Sequence, residues 1–308
     1  MRLVVALGGN ALGNNPQEQK ELVKLTASSI VDMIEQGHSV VVTHGNGPQV
    51  GMINLAFSLA NGVEENSPQM PFPECGAMSQ GYIGYHLQSA LDKEMRKRGI
   101  NKRALSIITQ VVVDQSDPAF DNPTKPIGAF YQKEAAQELA RQKGYVMREI
   151  ENKGFRRVVA SPKPVDIVEK EGVAKLVKEG FVVITVGGGG IPVVEKEGEY
   201  VGVDAVIDKD YASALVASLL DADRFVVLTA VDKVYINYGK PNQKALDALT
   251  VKQAEEYIKQ GQFGKGSMLP KVEAALSFVK RSKKPAVIAS LENSAKALSG
   301  QSGTQITI

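Results

Sequence analysis

The sequence predicts a three-layer α/β/α sandwich with a central, mainly parallel sheet and a protruding lid subdomain. Three observations predict it: short runs rich in β-branched residues recur, helical patterns separate most of them, and one polar, proline-punctuated stretch interrupts the alternation. The expected strands are Leu3–Leu7, Ser39–Thr43, Ser106–Val113, Arg157–Ala160, Phe181–Val186, Phe225–Thr229 and Pro285–Ala289, each with the continuous apolar character of a strand buried on both faces. The expected helices are Gln17–Gln36, Pro48–Asn61, Gly76–Arg98, Val165–Lys178, Lys209–Leu220, Val251–Lys259 and Ser267–Ser282. Strands alternating with helices imply parallel pairing and right-handed crossovers. Residues 114–164 carry Pro118, Pro123, Pro126, Pro162 and Pro164 in a poorly periodic stretch, which reads as the lid.

A chain of 308 residues, 43% of them hydrophobic, buries a sizeable core without staples. Its 36 basic and 34 acidic side chains leave a net charge of +2, with no cationic run of the kind that follows a nucleic-acid backbone. Cys75, the single cysteine, excludes an internal disulfide, and His38, His44 and His86 are scattered, so no protein-held metal site is expected and a reducing, cytoplasmic compartment is. The apolar run Leu3–Leu7 is too short for a signal-peptide core or a membrane span and reads as a buried first strand.

In an open parallel sheet, ligands bind beyond the carboxyl ends of the strands. Three of those ends carry glycine clusters: Gly8-Gly9-Asn10, Gly45-Asn46-Gly47 and Gly187 to Gly190. Glycine allows positive φ and close backbone approach, and unpaired N–H groups at a helix entrance suit an anion such as phosphate. Each cluster alone also fits a tight turn after a strand. No segment matches G-x-x-x-x-G-K-[ST]. The stretch Gly45 to Gly51 approaches a dinucleotide fingerprint, but Glu64 and Glu65, the acidic residues that follow, fall in a loop rather than at a strand end, which leaves a dehydrogenase as a weak competitor.

Two lysines stand where the helix macrodipole disfavours them. Asp208 reads as an N-cap, which puts Lys209 and Asp210 in the first turn of the following helix; Ser267 reads as a second cap, with Pro270 and Lys271 in or just beyond the next first turn. Both lysines could converge on one phosphoryl group, and each alone could be a solvated surface residue. Lys125 precedes Pro126, which biases it to an extended conformation on the lid.

Taken together, Ala6 to Ala11, His44 to Gly51, Lys125-Pro126-Ile127-Gly128, Gly187 to Pro192, Val206 to Asp210 and Gly266 to Lys271 resemble the carbamate kinases, of the amino acid kinase superfamily, from end to end. The lid motif with Lys125 favours that family over acetylglutamate, uridylate or aspartate kinases. The resemblance implies reversible transfer between carbamoyl phosphate and ADP giving ATP and carbamate, with ATP/ADP as substrate, Mg²⁺ on the nucleotide phosphates, small-molecule substrates and a homodimer. It implies one domain over 1–308, with a substrate-binding half over 1–200 that includes the lid at about 114–164, and a nucleotide-binding half over 201–308. Gly8, Gly9, Asn10, Ala11, Gly45, Asn46, Gly47 and Gly51 would hold the small substrate, with Gly9 and Asn10 also at the reacting phosphoryl group, and Lys125 would close over them. Lys209 and Lys271 would neutralise the phosphates, with Asp210 holding both lysines. Thr229, Val231, Tyr235, Gly266, Ser267 and Met268 would join Lys209, Asp210 and Lys271 around the nucleotide.

Phosphoryl transfer is mainly alignment plus electrostatics, and carbamate attacks through its own anionic oxygen, so no poised base is required. His44 is expected to pack or hydrogen-bond rather than catalyse. The stretch Gly45 to Gly62 has no arginine or lysine to bind a larger carboxylate, which favours a very small acceptor. A non-catalytic nucleotide-binding regulator or another small-carboxylate kinase is the alternative; a regulator would be expected to lack one of Lys125, Lys209, Asp210 or Lys271, and all are present.

Overall fold

The computed structural model describes residues 1–308 apart from 9–11, 14, 64–66 and 151–152. From the N-terminus, β1 (Arg2–Leu7) leads to α1 (Pro16–Glu35), and β2 (Ser39–His44) to α2 (Gly47–Val63) and α3 (Phe72–Lys97), followed by β3 (Ala104–Ser106) and β4 (Gln110–Val113). Next come β5 (Lys125–Tyr131), α4 (Lys133–Lys143), β6 (Met147–Ile150), β7 (Gly154–Val159), β8 (Pro164–Ile167), α5 (Lys170–Lys178), β9 (Val182–Ile184), β10 (Ile191–Lys196) and β11 (Glu199–Gly202). The remainder comprises α6 (Lys209–Leu219), β12 (Arg224–Thr229), β13 (Val234–Ile236), β14 (Lys244–Leu246), β15 (Ala248–Thr250), α7 (Val251–Lys259), α8 (Met268–Ser282), β16 (Ala286–Ser290), α9 (Ser294–Leu298) and β17 (Thr304–Thr307).

The main sheet has the order β15-β17-β16-β12-β1-β2-β9-β3. Its centre, β1, pairs in parallel with β12 on one side and β2 on the other, and only β17 against β16 runs antiparallel. Period-2 alternation divides β1 between two cores: Val4 and Ala6 join the side chains of α6 and α8, while Leu3, Val5 and Leu7 join those of α1 and α3. Each such side chain contributes about 1.5–3 kcal/mol on burial, so helices on both faces hold the sheet in register. The predicted sandwich is therefore the fold that forms. Because the chain departs from β1 in both directions across the sheet, the ends of β1, β2 and β12 make the topological switch point where such folds bind ligands. No described helix is long and apolar enough to cross a membrane.

Several boundaries differ from expectation. Ser106–Val113 is two strands in different sheets: β3 closes the main sheet, while β4 joins β11, β10 and β8 in a four-stranded one. The break falls at Thr109, whose N–H donates to the buried Gln80 amide oxygen at 2.8 Å and is lost to a ladder, while its carbonyl accepts both the Gln80 amide at 3.1 Å and the Ile191 N–H of β10 at 2.9 Å. The helix expected from Val165 starts at Lys170, because Pro164–Ile167 pairs antiparallel with β4. Arg157–Ala160 belongs to the lid rather than to the main sheet: β5, β7 and β6 form their own antiparallel sheet, with α4 against it. Strand β7 is only half-buried over Gly154–Arg157, as befits a sheet covered on one face.

Candidate active site

Asp208 caps α6 as its sequence position requires: its backbone is extended and its Oδ1 accepts the Asp210 N–H at 3.0 Å. The cap places Lys209 and Asp210 in the first turn. Asp210 is 2% exposed, and each of its oxygens takes one ammonium, Lys209 Nζ at 2.6 Å and Lys271 Nζ at 3.2 Å. Burial alone would raise the Asp210 pKa; the charges and hydrogen bonds of the two lysines overcome it and hold the carboxyl below the ordinary carboxylate range. The lysine side chains are only 14% and 15% exposed, which separates them from solvated surface lysines. They meet because α6 and α8 are neighbours whose inward residues, among them Ala212 and Val216 on α6 and Val272 and Ala275 on α8, share one core cluster. Ser267 does not cap α8 with its hydroxyl; its carbonyl accepts from Lys271 Nζ at 3.1 Å and helps fix that side chain.

Lys125 opens β5 and is registered opposite Val159, so it stands at the root of the lid. Its Nζ lies 3.1 Å from Asp208 Oδ2. The lid lysine and the Lys209–Asp210–Lys271 group are thus brought together, although 83 residues separate Lys125 from Asp208.

The glycines divide by role. Gly8 continues the β1–β12 ladder, donating its N–H to Leu228 at 2.9 Å, and a Cβ there would sit 2.9 Å from that carbonyl oxygen; its donor is engaged rather than open to substrate. A Cβ added at Gly45 would stand 3.4 Å from the Lys209 stem. Asn46 accepts the Val50 N–H at its carbonyl and donates to Ser79 Oγ at 2.9 Å, and Gly47, exposed with open space at its Cβ position, begins α2. Gly51 lies inside α2, where its N–H serves the helix, and a Cβ added there would stand 3.9 Å from the lid backbone at Gly128 N. Gly9, Asn10 and Ala11 lie outside the described residues, as do Glu64 and Glu65.

Gly187 to Gly190 are packing glycines. Gly187 to Gly189 are buried, and added Cβ atoms at Gly187, Gly188 and Gly189 would meet His44 Nε2 at 2.5 Å, Asn46 Nδ2 at 2.0 Å and the Ile207 carbonyl oxygen at 2.2 Å. The N–H groups of Gly189 and Gly190 bond back to Val186 and Gly187 within the turn. This cluster supports the second glycine loop and the approach to α6.

His44 is buried, and its Nδ1 lies 2.8 Å from the Gly45 carbonyl, so Nδ1 carries the hydrogen and donates. Burial, opposed by that hydrogen bond and reinforced by the Lys209 charge, brings its pKa down to about 4. It is a neutral packing residue in the folded state, as expected. The unfolded histidine takes up a proton below about pH 6.5 while the folded one resists until about pH 4, so stability falls as pH falls through that window. Between pH 7 and 5, chemical denaturation should show wild type losing about 2 kcal/mol more than His44→Gln. Parallel losses in the two proteins would remove this role.

A cavity of about 290 Å³ opens beside Lys271, lined by Thr229, Ala230, Val231, Tyr235, Tyr238, Gln262, Phe263, Gly264, Ser267, Met268 and Lys271. Its lining is largely apolar, and its charged end is at Lys271, so it offers apolar walls with a cation at one side. Of the nucleotide residues expected from sequence, Lys209, Asp210 and Gly266 are not in the lining; Ala230 and Tyr238 line it within the segment expected near the base, and Gln262, Phe263 and Gly264 line it without having been named. The aromatic pair Tyr235 and Tyr238, with ring centroids 5.8 Å apart, was the available signal.

Residues 1–290 match the model of the amino acid kinase family. A carbamate kinase-like protein of Escherichia coli is 55% identical over 99% of this chain and 98% of its own length. A carbamate kinase of Clostridium perfringens is 54% identical over 99% of each chain. Among solved structures, the carbamate kinase of Giardia lamblia bound to AMP-PNP superposes with a TM-score of 0.93 at 41% identity, covering 99% of this chain and 98% of that one. Sheet order, paired lysines at the switch point and this full-length relatedness agree, and the chain belongs to the amino acid kinase family.

Proposed function

We infer that the protein is a carbamate kinase, a phosphotransferase that moves a phosphoryl group between carbamoyl phosphate and ADP to give ATP and carbamate. The observation that carries this reading is the convergence of Lys209 and Lys271 on the buried Asp210, between the cavity beside Lys271 and the second glycine loop. An oxygen of the ADP β-phosphate attacks phosphorus, the phosphorus–oxygen bond to carbamate breaks, and carbamate leaves as an anion, so no proton moves. Lys209 and Lys271 offset the charge spread over the equatorial oxygens, and Asp210 keeps the two like charges side by side. Lys125 would face the same phosphoryl group from the lid, and Gly47 and Asn46 would receive the small substrate at the α2 entrance, where unpaired N–H groups favour an anion.

The nucleotide would occupy the cavity, with Thr229, Val231, Tyr235, Ser267 and Met268 around it. Sheet order supports the division into halves: β3, β9, β2 and β1 come from 1–200, and β12, β16, β17 and β15 from 201–308. The described residues do not fit a resident metal, because Asp208 and Asp210 are engaged by lysines and no group of three His, Cys, Asp or Glu among them could hold one. Magnesium carried on the nucleotide phosphates would be substrate. A homodimer and a reducing, cytoplasmic setting belong to the same reading, supported by the relatedness and by a lone buried cysteine.

The test is ATP formation from ADP, Mg²⁺ and carbamoyl phosphate, with acetyl phosphate as comparison donor. Carbamoyl-phosphate-dependent ATP synthesis is expected; a folded protein that makes ATP from neither donor, or from acetyl phosphate alone, overturns the reading.

A further inference from the structure

We propose that Asp208 is a positioning residue that stations the lid lysine, Lys125, at the phosphoryl-transfer site before substrate arrives. The proposal rests on the carbamate kinase reading and on an ion pair that local sequence does not reveal. The two carboxylate oxygens of Asp208 have different partners: Oδ1 accepts the Asp210 N–H at 3.0 Å, and Oδ2 faces Lys125 Nζ at 3.1 Å. One side chain thereby links the lid to the residue whose own carboxylate holds Lys209 and Lys271.

The backbone around Asp208 is tied to the lid at further points. Ala160 and Ala205 form a parallel bridge, the Val206 N–H donates to the Ala160 carbonyl at 2.9 Å, and Arg157 pairs with Asp204 at 2.6 Å. Because Lys125 is registered opposite Val159, one residue before that bridge, its Cα is set by the same junction. The remaining freedom is in its four-carbon stem, and the Lys125 side chain is 38% exposed. An unpaired ammonium on such a stem samples many rotamers in water, and the cost of ordering it would fall on substrate binding. Asp208, 16% exposed at its side chain, holds the ammonium beside the α6 entrance, close enough to change partners when a doubly charged phosphoryl group enters.

Asp208→Asn separates this role from helix capping, since asparagine caps as well as aspartate but offers no charge to Lys125. Its KM for carbamoyl phosphate is expected to rise about five- to tenfold, the scale of one net intramolecular hydrogen bond, with KM for ADP within about twofold. In a Lys125→Met background the same substitution should have almost no further effect, because the group it positions is gone. A purely structural Asp208 would instead act equally in both backgrounds. Amide exchange of the ligand-free protein gives a readout without turnover: β5 should exchange faster in Asp208→Asn than in wild type. An unchanged or lowered KM, an effect as large without Lys125, or equal exchange of β5 in the two proteins overturns the proposal. If wild type makes no ATP from carbamoyl phosphate, the functional reading fails on its own, and the exchange comparison still decides whether Asp208 holds Lys125.

Discussion

Lys271→Met is expected to lower kcat by about 10²- to 10³-fold, the usual loss when one preorganised donor to a transition state is removed. Methionine keeps most of the buried stem, so the variant should fold, and its thermal midpoint reads what the lost partner of Asp210 costs. Lys271→Arg should rescue poorly: a planar guanidinium cannot take both the Asp210 oxygen and the Ser267 carbonyl from a single nitrogen, as Lys271 Nζ does at 3.2 Å and 3.1 Å. Lys209 and Lys271 share one carboxylate, so the double replacement should lose much less than the product of the single losses. Steady-state ATP formation at saturating ADP and carbamoyl phosphate measures all of this. A loss of less than tenfold in Lys271→Met would return that lysine to the class of ordinary half-buried cations.

Gly189→Ala should destabilise the fold by roughly 3 kcal/mol or more, because a disfavoured backbone conformation and a backbone clash add. Gly189 has φ +96°, and its Cβ would stand 2.2 Å from the Ile207 carbonyl oxygen and 2.9 Å from the carbonyl carbon. Neither atom can swing aside as a side chain would. Ile207 immediately precedes Asp208, so any relaxation shifts the cap of α6 and the lysines arranged on it. Gly198→Ala is the control: φ there is +84° with open space at the Cβ, and only the conformational cost of about 1–2 kcal/mol applies. Denaturation midpoints of the two variants separate clash from strain, and equal losses would show that Ile207 yields freely.

Much of the site was legible because its signals are local. Asp208 reads as a cap from residue type and position, Lys209 and Asp210 follow in the first turn, and the structure shows that cap with its 3.0 Å hydrogen bond. Lys271 stands out for a similar reason, as a cation near the start of α8. The expectation that failed at Gly187 to Gly190 shows the limit. A glycine run after a strand looks the same whether its bare backbone faces an anion or a neighbouring side chain, and here His44, Asn46 and Ile207 fill the space. Gly51 was ambiguous in the same way, and its neighbour is the lid at Gly128.

The lid was recognisable by its prolines and polarity, yet its content was not. Lys125–Tyr131, Met147–Ile150 and Gly154–Val159 make a sheet of their own, and the apolar end of the last strand resembled a core strand when read alone. The missed break at Thr109 has a similar origin, since Gln80, whose amide oxygen takes the Thr109 N–H, lies 29 residues away.

By itself, then, the sequence determined the layers, the parallel core, the helix entrances and the residue types able to meet a phosphate, because periodicity, capping and turn chemistry act over a few neighbouring residues. Tertiary structure alone decided which groups meet: Asp210 with Lys209 and Lys271, Asp208 with Lys125, and the glycine run with Asn46. Apart from the adjacent Lys209, these partners are brought within hydrogen-bond or packing distance only when α6, α8, the lid and the glycine loops pack around the end of one sheet, and that packing is a property of the whole core.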